Sequence, residues 1–422
     1  MLDLKRIRDD PEGVRAALAR RGGDAAQALD GVIELDARRR RLLPELEGLR
    51  AEQNEANARI RASADASERE REIDAMRAVA ARAKELEREL GEVELQLDAA
   101  LAPLPNLPDP SAAPGPEDEL VREVGAVPEL AFEPRDHLEL AGEMIDMDRG
   151  ANLSGSRFAY LKGELVMLEL ALVRWALEKL RGHAFEPVIP PVLVRERALY
   201  GSGFLPDTEQ QIYALPDDEL FLVGTSEVAL ASLHDGEILD QERLPLRYAG
   251  FSPCFRREAG AAGKDTRGIF RVHQFDKVEM FSFVAPEESE REHESILAIE
   301  EEILAELELP YRVVNIAVGD LGNSAAKKYD CEAWMPSQGR YRELTSCSNT
   351  TDYQARRLSI RVRGNESPPT RTRTPHTLNG TAVAVGRTIV ALLENGQRED
   401  GSVQLPECLL AYGAPVRLAP AG

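Results

Sequence analysis

Cysteine is scarce in this chain of 422 residues. It has four, at positions 254, 331, 347 and 408, and none are spaced as Cys-x-x-Cys. That argues against a disulfide framework or a cysteine-built zinc site, and a reducing cytoplasm is the simplest compartment. Aromatic residues are only 5%, so a core must lean on Leu, Val, Ile and Ala. No run approaches the ~18 uncharged apolar residues of a membrane span. The first ten residues mix Asp, Lys and Arg without the apolar run of a secretory signal. Neither a P-loop nor a dinucleotide-binding glycine fingerprint occurs, and no internal repeat. Positive charge is in deficit: 52 Lys+Arg against 74 Asp+Glu, a net charge of −22. The overall field repels polynucleotides, so any such partner must be held by local basic patches.

What is present reads as a globular chain of two to three domains, 43% hydrophobic and 30% charged. Residues 1–100 carry 19 basic and 23 acidic residues, a net of −4; the remainder carries 33 and 51, a net of −18. The acid excess therefore belongs to the C-terminal part.

Residues 1–24 read as one short helix, capped at Asp10 before Pro11 and ended by Gly22-Gly23. Leu35, Leu42, Leu46, Leu49, Gln53, Ala56 and Ile60 then follow the 3–4 spacing of a coiled-coil seam. The chain breaks at Ser63-Ala64-Asp65. Ser67 with Glu70 predicts a capping box that opens a second helix. Its stripe is Met76, Val79, Ala83, Leu86, Leu90, Val93, Leu97 and Ala100. The two helices, over about 27–100, should pair antiparallel into a hairpin about 50 Å long, within a helical domain of residues 1–102. By pattern alone, a dimerisation coiled coil and a lever that reaches a distant partner are equally compatible with it. Arg38, Arg39, Arg40 and Arg41 surround the first helix, so some must face solvent.

Prolines 103, 105, 108, 110, 114 and 116 predict a stiff linker over 103–118. Beyond it, strands are expected at 188–189, 220–223, 269–272, 278–283 and 311–316, and helices at 161–180 and 287–307. Residues 119–422 thus read as an α+β domain on an antiparallel β-sheet flanked by helices.

Charged residues inside strand-like sequence cost several kcal/mol unless paired or liganded, and three runs stand out. The first is Phe255-Arg256-Arg257-Glu258-Ala259-Gly260, followed after a loop by Ile269-Phe270-Arg271-Val272-His273-Gln274-Phe275-Asp276-Lys277-Val278-Glu279-Met280. A guanidinium fork there matches phosphate or carboxylate oxygens, and a Phe beside it can stack on a purine. The second is Gly380-Thr381-Ala382-Val383-Ala384-Val385-Gly386-Arg387 before an apolar helix, and the third is Gly-His-Ala-Phe-Glu-Pro-Val-Ile-Pro-Pro at 182–191. The purely structural alternative is a buried ion pair such as Arg256 with Glu279. His273 reads as a structural hydrogen bonder, and Cys347 as neither nucleophile nor ligand.

In order, these runs resemble motifs 2, 3 and 1 of the class II aminoacyl-tRNA synthetases, and most closely the seryl-tRNA synthetases. With Leu222-Val223-Gly224-Thr225-Ser226-Glu227, Arg342-Glu343-Leu344-Thr345-Ser346-Cys347-Ser348-Asn349 and the N-terminal hairpin, the resemblance covers essentially the whole chain. It implies a cytoplasmic homodimer that attaches L-serine to serine tRNA with ATP and Mg2+, through seryl-adenylate, releasing AMP and pyrophosphate. Selenocysteine tRNA is a further substrate of the family where that tRNA exists.

By the same resemblance ATP would lie against Arg256, Arg257, Glu258, Val272, Phe275, Glu343, Leu344, Thr345, Ser346 and Arg387. Arg256 would bridge the α-phosphate and the serine carboxylate, Arg387 would clamp the γ-phosphate, and Glu343 and Ser346 would hold the magnesium. Thr225, Ser226, Glu227, Arg256, Glu279 and Thr381 would hold serine. Arg38, Arg39, Arg40, Arg41 and Arg50 are the candidates for tRNA phosphates. Two positions depart from the family pattern: Arg257 and Thr381 stand where serine is more common. A carrier-protein ligase and a catalytically inert scaffold are the competing readings; the first lacks such a hairpin, and the second would lack the charges at 256, 279, 343 and 387.

Overall fold

The computed structural model describes residues 1–206, 211–259, 265, 267–364 and 372–421, in two compact units, Met1–Pro105 and Asn106–Gly422. Most of the glycine- and alanine-rich loop after Glu258 (260–264 and 266) lies outside the described residues.

In the first unit the opening segment is two helices, α1 (Leu4–Asp9) and α2 (Pro11–Arg20), rather than one. Pro11 has no N–H and disfavours helical geometry at the residue before it. Asp10 leaves the helix there (φ −146°, ψ 72°), and its carboxylate accepts the Gly13 N–H at 2.9 Å. Helices α3 (Ala25–Ala62) and α4 (Ala66–Leu101) form the hairpin. Leu42 and Leu46 pack with Ala83, Leu86, Leu90 and Val93, so the heptad stripes do become the seam. The cap of α4 is Asp65, whose carboxylate accepts the Ser67 N–H at 2.8 Å. The capping box expected at Ser67 is therefore two residues out; an Asp with extended backbone was available first. Ion pairs stitch the helices together: Arg38–Glu89 (2.6 Å), Arg39–Glu94 (2.9 Å), Arg50–Glu87 (2.8 Å), Arg59–Glu72 (3.1 Å) and Arg82–Glu45 (2.9 Å).

The second unit is built on an eight-stranded sheet. Its strands are β1 (Glu119–Val124), β2 (Glu186–Val188), β3 (Leu246–Phe255), β4 (Gln274–Val284), β5 (Tyr311–Asn315), β6 (Lys327–Met335), β7 (Arg340–Thr351) and β8 (His376–Ala384). The order is β1-β5-β6-β7-β8-β4-β3-β2, antiparallel except for the edge pair β2–β3. Three longer helices pack on it: α5 (Glu164–Gly182), α6 (Ser289–Glu306) and α7 (Val385–Gly396). One core joins Leu168, Leu172 and Trp175 of α5, Ile296 and Ile303 of α6, and Ile389 and Leu393 of α7 to Val278, Met280, Leu344 and Ala382 of the sheet.

Gly380 lets α6 lie directly on β8: a Cβ there would stand 2.4 Å from Ile296 Cγ2 and 2.9 Å from Glu300 Oε1. The proline-rich stretch beyond Pro105 is tied to this unit. Asn106 donates its side-chain amide to Ser324 O (2.9 Å) and Thr350 O (2.8 Å), and Ala113 bridges to Ala317.

Residues 269–272 form no strand, contrary to expectation. Gly268 turns the chain (φ +79°) where any Cβ would meet His137 Nε2 at 1.9 Å. The Ile269 N–H then bonds that same nitrogen at 3.2 Å, and Ile269 and Phe270 enter the core. The extended ladder starts only at Gln274. The segment 220–223 is a strand over Leu220–Leu222, but in a separate three-stranded sheet.

Candidate active site

The middle strands end at an open pocket. Each wall has a local cause. β3 delivers Arg256 just past its last residue. On β4, Phe275 and Lys277 line the cavity, and Glu279 follows two residues on, beneath it. β8 sets Thr381 opposite Glu279. On β7, Glu343 and Ser346 are three apart and would face opposite ways in a regular strand. The register jumps there: Glu332 pairs with Glu343 but Cys331 with Thr345, which leaves Leu344 as the extra residue of a bulge. Glu343 and Ser346 therefore both reach the cavity. Arg387 comes from the first turn of α7.

Two guanidinium groups share this space. The Arg256 Nε–H donates to Gly224 O (3.0 Å), and its Cζ stands 5.4 Å from the Phe275 ring centre. The anchor uses one donor and leaves the rest of the fork for a ligand. Arg387 donates from Nη1 to Glu343 O (3.1 Å), lies 3.4 Å from Glu343 Oε2, and sits 5.0 Å from the Phe270 ring centre. Burial opposes ionisation of Glu343, but Arg387, Lys328 and Arg256 together hold its carboxyl below the usual range. Glu258 is in the left-handed region (φ 50°), and Arg271 donates to its Oε2 at 2.6 Å. His273 bonds the Arg256 carbonyl through Nδ1 (2.8 Å), which is the structural role expected of it.

A second layer lies deeper. Glu227, Glu279 and Lys277 are all buried. Lys277 pairs with Glu279, so the ion pair on β4 is this one rather than Arg256–Glu279. Thr381 Oγ1 is 3.5 Å from Glu279 Oε2. Burial, and the neighbouring Glu279 charge, push the Glu227 carboxyl up to about 7; Lys277 and side-chain bonds from Gln354 and Asn379 act the other way. Burial likewise raises Glu279. Two carboxylates against one ammonium leave a place for a second cation.

Of the residues singled out in the sequence, Arg256, Glu258, Val272, Phe275, Glu343, Leu344, Thr345, Ser346, Thr381 and Arg387 line the one cavity. Thr225, Ser226, Glu227 and Glu279 are in the buried layer. The Ser226 hydroxyl is turned to Gly250 O (3.4 Å). Arg257 does not line the cavity; its side chain is exposed, and its N–H donates to Gln211 O at 2.9 Å.

Sequence reading passed over Lys277, Phe270 and Arg271 as individual contributors, although they stand inside the quoted run. It also missed Asp330 and Lys328 on β6. Asp330 pairs with Ser346 in register, and Lys328 holds it at 2.8 Å. Burial, with the charge of Glu343, pushes the Asp330 carboxyl up to about 7 against the pull of Lys328. Among the described residues no group of three or more His, Cys, Asp or Glu converges to hold a metal alone. Glu343 and Ser346 still offer hard oxygens on one wall, which suits a Mg2+ ion completed by phosphate and water.

In the helical unit, Arg38, Arg39 and Arg50 are engaged across the hairpin, while Arg40 and Arg41 are exposed.

Comparison with known proteins agrees with this layout. The family model of the seryl-tRNA synthetase N-terminal domain matches residues 1–108, and that of the tRNA synthetase class II core domain (G, H, P, S and T) matches residues 213–396. The chain is 50% identical to a serine--tRNA ligase of Thermobifida fusca over 98% of this chain and 97% of that one. It is 48% identical to one of Rhodococcus jostii, with 98% of each chain covered. A crystal structure of seryl-tRNA synthetase from Pyrococcus horikoshii complexed with ATP superposes with a TM-score of 0.93 at 43% identity, covering 100% of both chains.

Proposed function

Because the chain belongs to the seryl-tRNA synthetases of class II, we propose that its cavity activates L-serine with ATP and passes the seryl group to serine tRNA. The observation that carries this reading is the convergence of Arg256 and Arg387 on one cavity floored by a buried Glu227–Lys277–Glu279 cluster. A carboxylate must approach an α-phosphate, anion on anion, so cations at fixed positions are required.

Arg256, tethered by Nε, presents its remaining N–H groups to the α-phosphate and the serine carboxylate. Arg387 takes the γ-phosphate. Phe275 and the backbone of Val272 flank adenine, and Glu258 accepts from its amino group. Glu343 and Ser346 hold Mg2+, which when bound neutralises phosphate charge. Glu227 and Glu279 take the serine ammonium, and Thr381 its hydroxyl. A serine oxygen forms the new bond to the α-phosphorus as the bond to pyrophosphate breaks. The terminal ribose hydroxyl of the tRNA then attacks the acyl carbon, and AMP leaves. None of these steps needs a side-chain base; positioning and charge suffice.

The test is pyrophosphate exchange with each amino acid in turn, ATP and Mg2+ present. Serine alone should support exchange at full rate. Alanine, which leaves the hydroxyl partners empty, should fall about 10⁴–10⁵-fold behind. Exchange driven by another amino acid, or none with serine, contradicts the reading.

The helical unit is proposed as the tRNA contact, with Arg40 and Arg41 as the phosphate-facing pair. Replacing both by Ala should raise KM for serine tRNA about tenfold at low salt, with less effect as salt rises, and leave pyrophosphate exchange unchanged. An unchanged tRNA KM at every salt concentration would remove these two arginines from the interface.

A homodimer is supported by apolar side chains left exposed on α5 and next to β2: Val166, Met167 and Leu170, with Ile189 at 81% exposure. Four free thiols suit the reducing cytoplasm.

A further inference from the structure

Glu227 has an unusual support. Its own carboxylate has no cation bonded to it among the described residues; Lys277 is bonded to Glu279 instead. It is held by neutral amides, that of Asn379 and that of Gln354, whose Nε2 donates to Glu227 Oε1 at 2.8 Å and to Ser202 O at 3.0 Å. Both hydrogens of that amide are thereby used. Its oxygen faces two hydroxyls: Thr377 Oγ1 donates to Oε1 at 2.9 Å, and Thr350 Oγ1 is 3.2 Å away. The amide cannot be flipped without aiming its oxygen at two acceptors. Gln354, Thr350, Thr377 and Ser202 are all fully buried at 0% exposure, so the arrangement excludes water as a substitute partner.

We infer that Gln354 is a positioning residue for the amino-acid site: a neutral donor, oriented by Thr377 and Thr350, that holds Glu227 in place for the substrate ammonium without neutralising it. A lysine or arginine in its stead would satisfy Glu227 and remove the attraction for the ammonium. An apolar residue would leave one carboxylate oxygen buried and unpaired, which disfavours its charged form. This inference rests on the proposal that Glu227 takes the serine ammonium.

The charged groups facing Glu227 are Glu279 and Lys277 on β4. Those on the neighbouring short helices are otherwise engaged. Arg357 is turned onto Tyr200 O and Leu205 O, Arg356 onto Asp352, and Arg197 onto Asp235. A change of proton affinity at Glu227 after substitution of Gln354 is therefore attributable to the lost donor.

The experiment is serine- and ATP-dependence of pyrophosphate exchange between pH 6 and 8.5 for three variants. Gln354→Met keeps length and removes the donor. It should raise KM for serine about 10–100-fold at every pH, leave KM for ATP within twofold, and move the acid limb of the serine profile to higher pH. Gln354→Glu is isosteric and carries a donor only when protonated. Its serine KM should be near the unsubstituted value at pH 6 and diverge upward toward pH 8.5. Equal rises in both KM values, or a serine KM for Gln354→Glu that does not depend on pH beyond the parent, would overturn the inference and leave Gln354 a packing residue. Glu227→Gln separates the two proposals. If it leaves serine KM unchanged, the ammonium assignment itself fails; if it raises serine KM while both Gln354 variants behave as the parent, only the positioning role fails.

Discussion

Replacing Arg256 by Ala should lower serine-dependent pyrophosphate exchange, as kcat/KM, by about 10³–10⁴-fold, while the thermal midpoint stays within a few degrees. A single preorganised donor aimed at developing charge is worth about 10²–10³, and in the proposed role Arg256 would serve two anions at once. The effect should fall on kcat as well as on both KM values, because the bridge is strongest as the anions close. Lysine should not restore it. The Nε–Gly224 bond of 3.0 Å fixes the plane of the fork, and lysine has neither a separate Nε to tether nor a planar fork to present to two anions. Arg387→Ala should cost less, about 10²-fold, and mainly in KM for ATP, because it would touch the phosphate remote from the new bond. A loss at Arg256 smaller than tenfold would mean that another cation meets the carboxylate.

The second large effect is expected at Glu279. Glu279→Gln removes one of the two carboxylates that leave a place for an ammonium, so KM for serine should rise at least 100-fold with KM for ATP little changed. It also removes the neighbouring negative charge that, after burial, pushes the Glu227 carboxyl up to about 7. The parent enzyme should therefore show kcat/KM for serine rising as pH climbs toward about 7 and levelling above it, as Glu227 becomes ionised. In Glu279→Gln that limb should shift to lower pH. The same raised carboxyl has a stability consequence of opposite sign. The folded state binds this proton more tightly than the unfolded state, so the free protein loses stability as pH rises from the ordinary carboxylate range through about 7, and bound serine offsets the loss. A flat serine profile between pH 6 and 8 in the parent would contradict the assignment of Glu227.

Much of this was legible in the sequence, for reasons that differ by element. The hairpin seam followed from apolar spacing, because a helix that buries one stripe must repeat it; Leu46 and Leu86 are at 2% and 0% exposure. The charged residues of the site could be picked out because each interrupts apolar, strand-like sequence, although only Glu279 lies within a strand; Arg256 follows the end of β3 and Arg387 is in the first turn of α7. Their functional grouping came from motif order, not from pattern. Contacts set by backbone detail were not legible. The bulge at Leu344 and the cap at Asp65 shift a register by one or two residues, and the turn at Gly268 replaces an expected strand altogether; local propensity does not resolve such details. Gln354 was invisible for another reason. It lies in the one-turn helix Tyr353–Arg357, far in sequence from Glu227, and only the fold brings the two within 2.8 Å. Lys277 was visible but ambiguous, since a lysine in a strand pattern commonly marks an edge. Here the strand is central, with β8 on one side and β3 on the other.

The central claim is that two guanidinium groups act on one triphosphate while buried carboxylates hold the amino acid beside it. A crystal structure with serine and a non-hydrolysable ATP analogue tests it directly. The account predicts the α-phosphate and the serine carboxylate on Arg256, the γ-phosphate on Arg387, and the ammonium on Glu227 and Glu279. A nucleotide bound with either guanidinium beyond hydrogen-bond reach of phosphate, about 3.5 Å, or an ammonium directed away from both carboxylates, would contradict it.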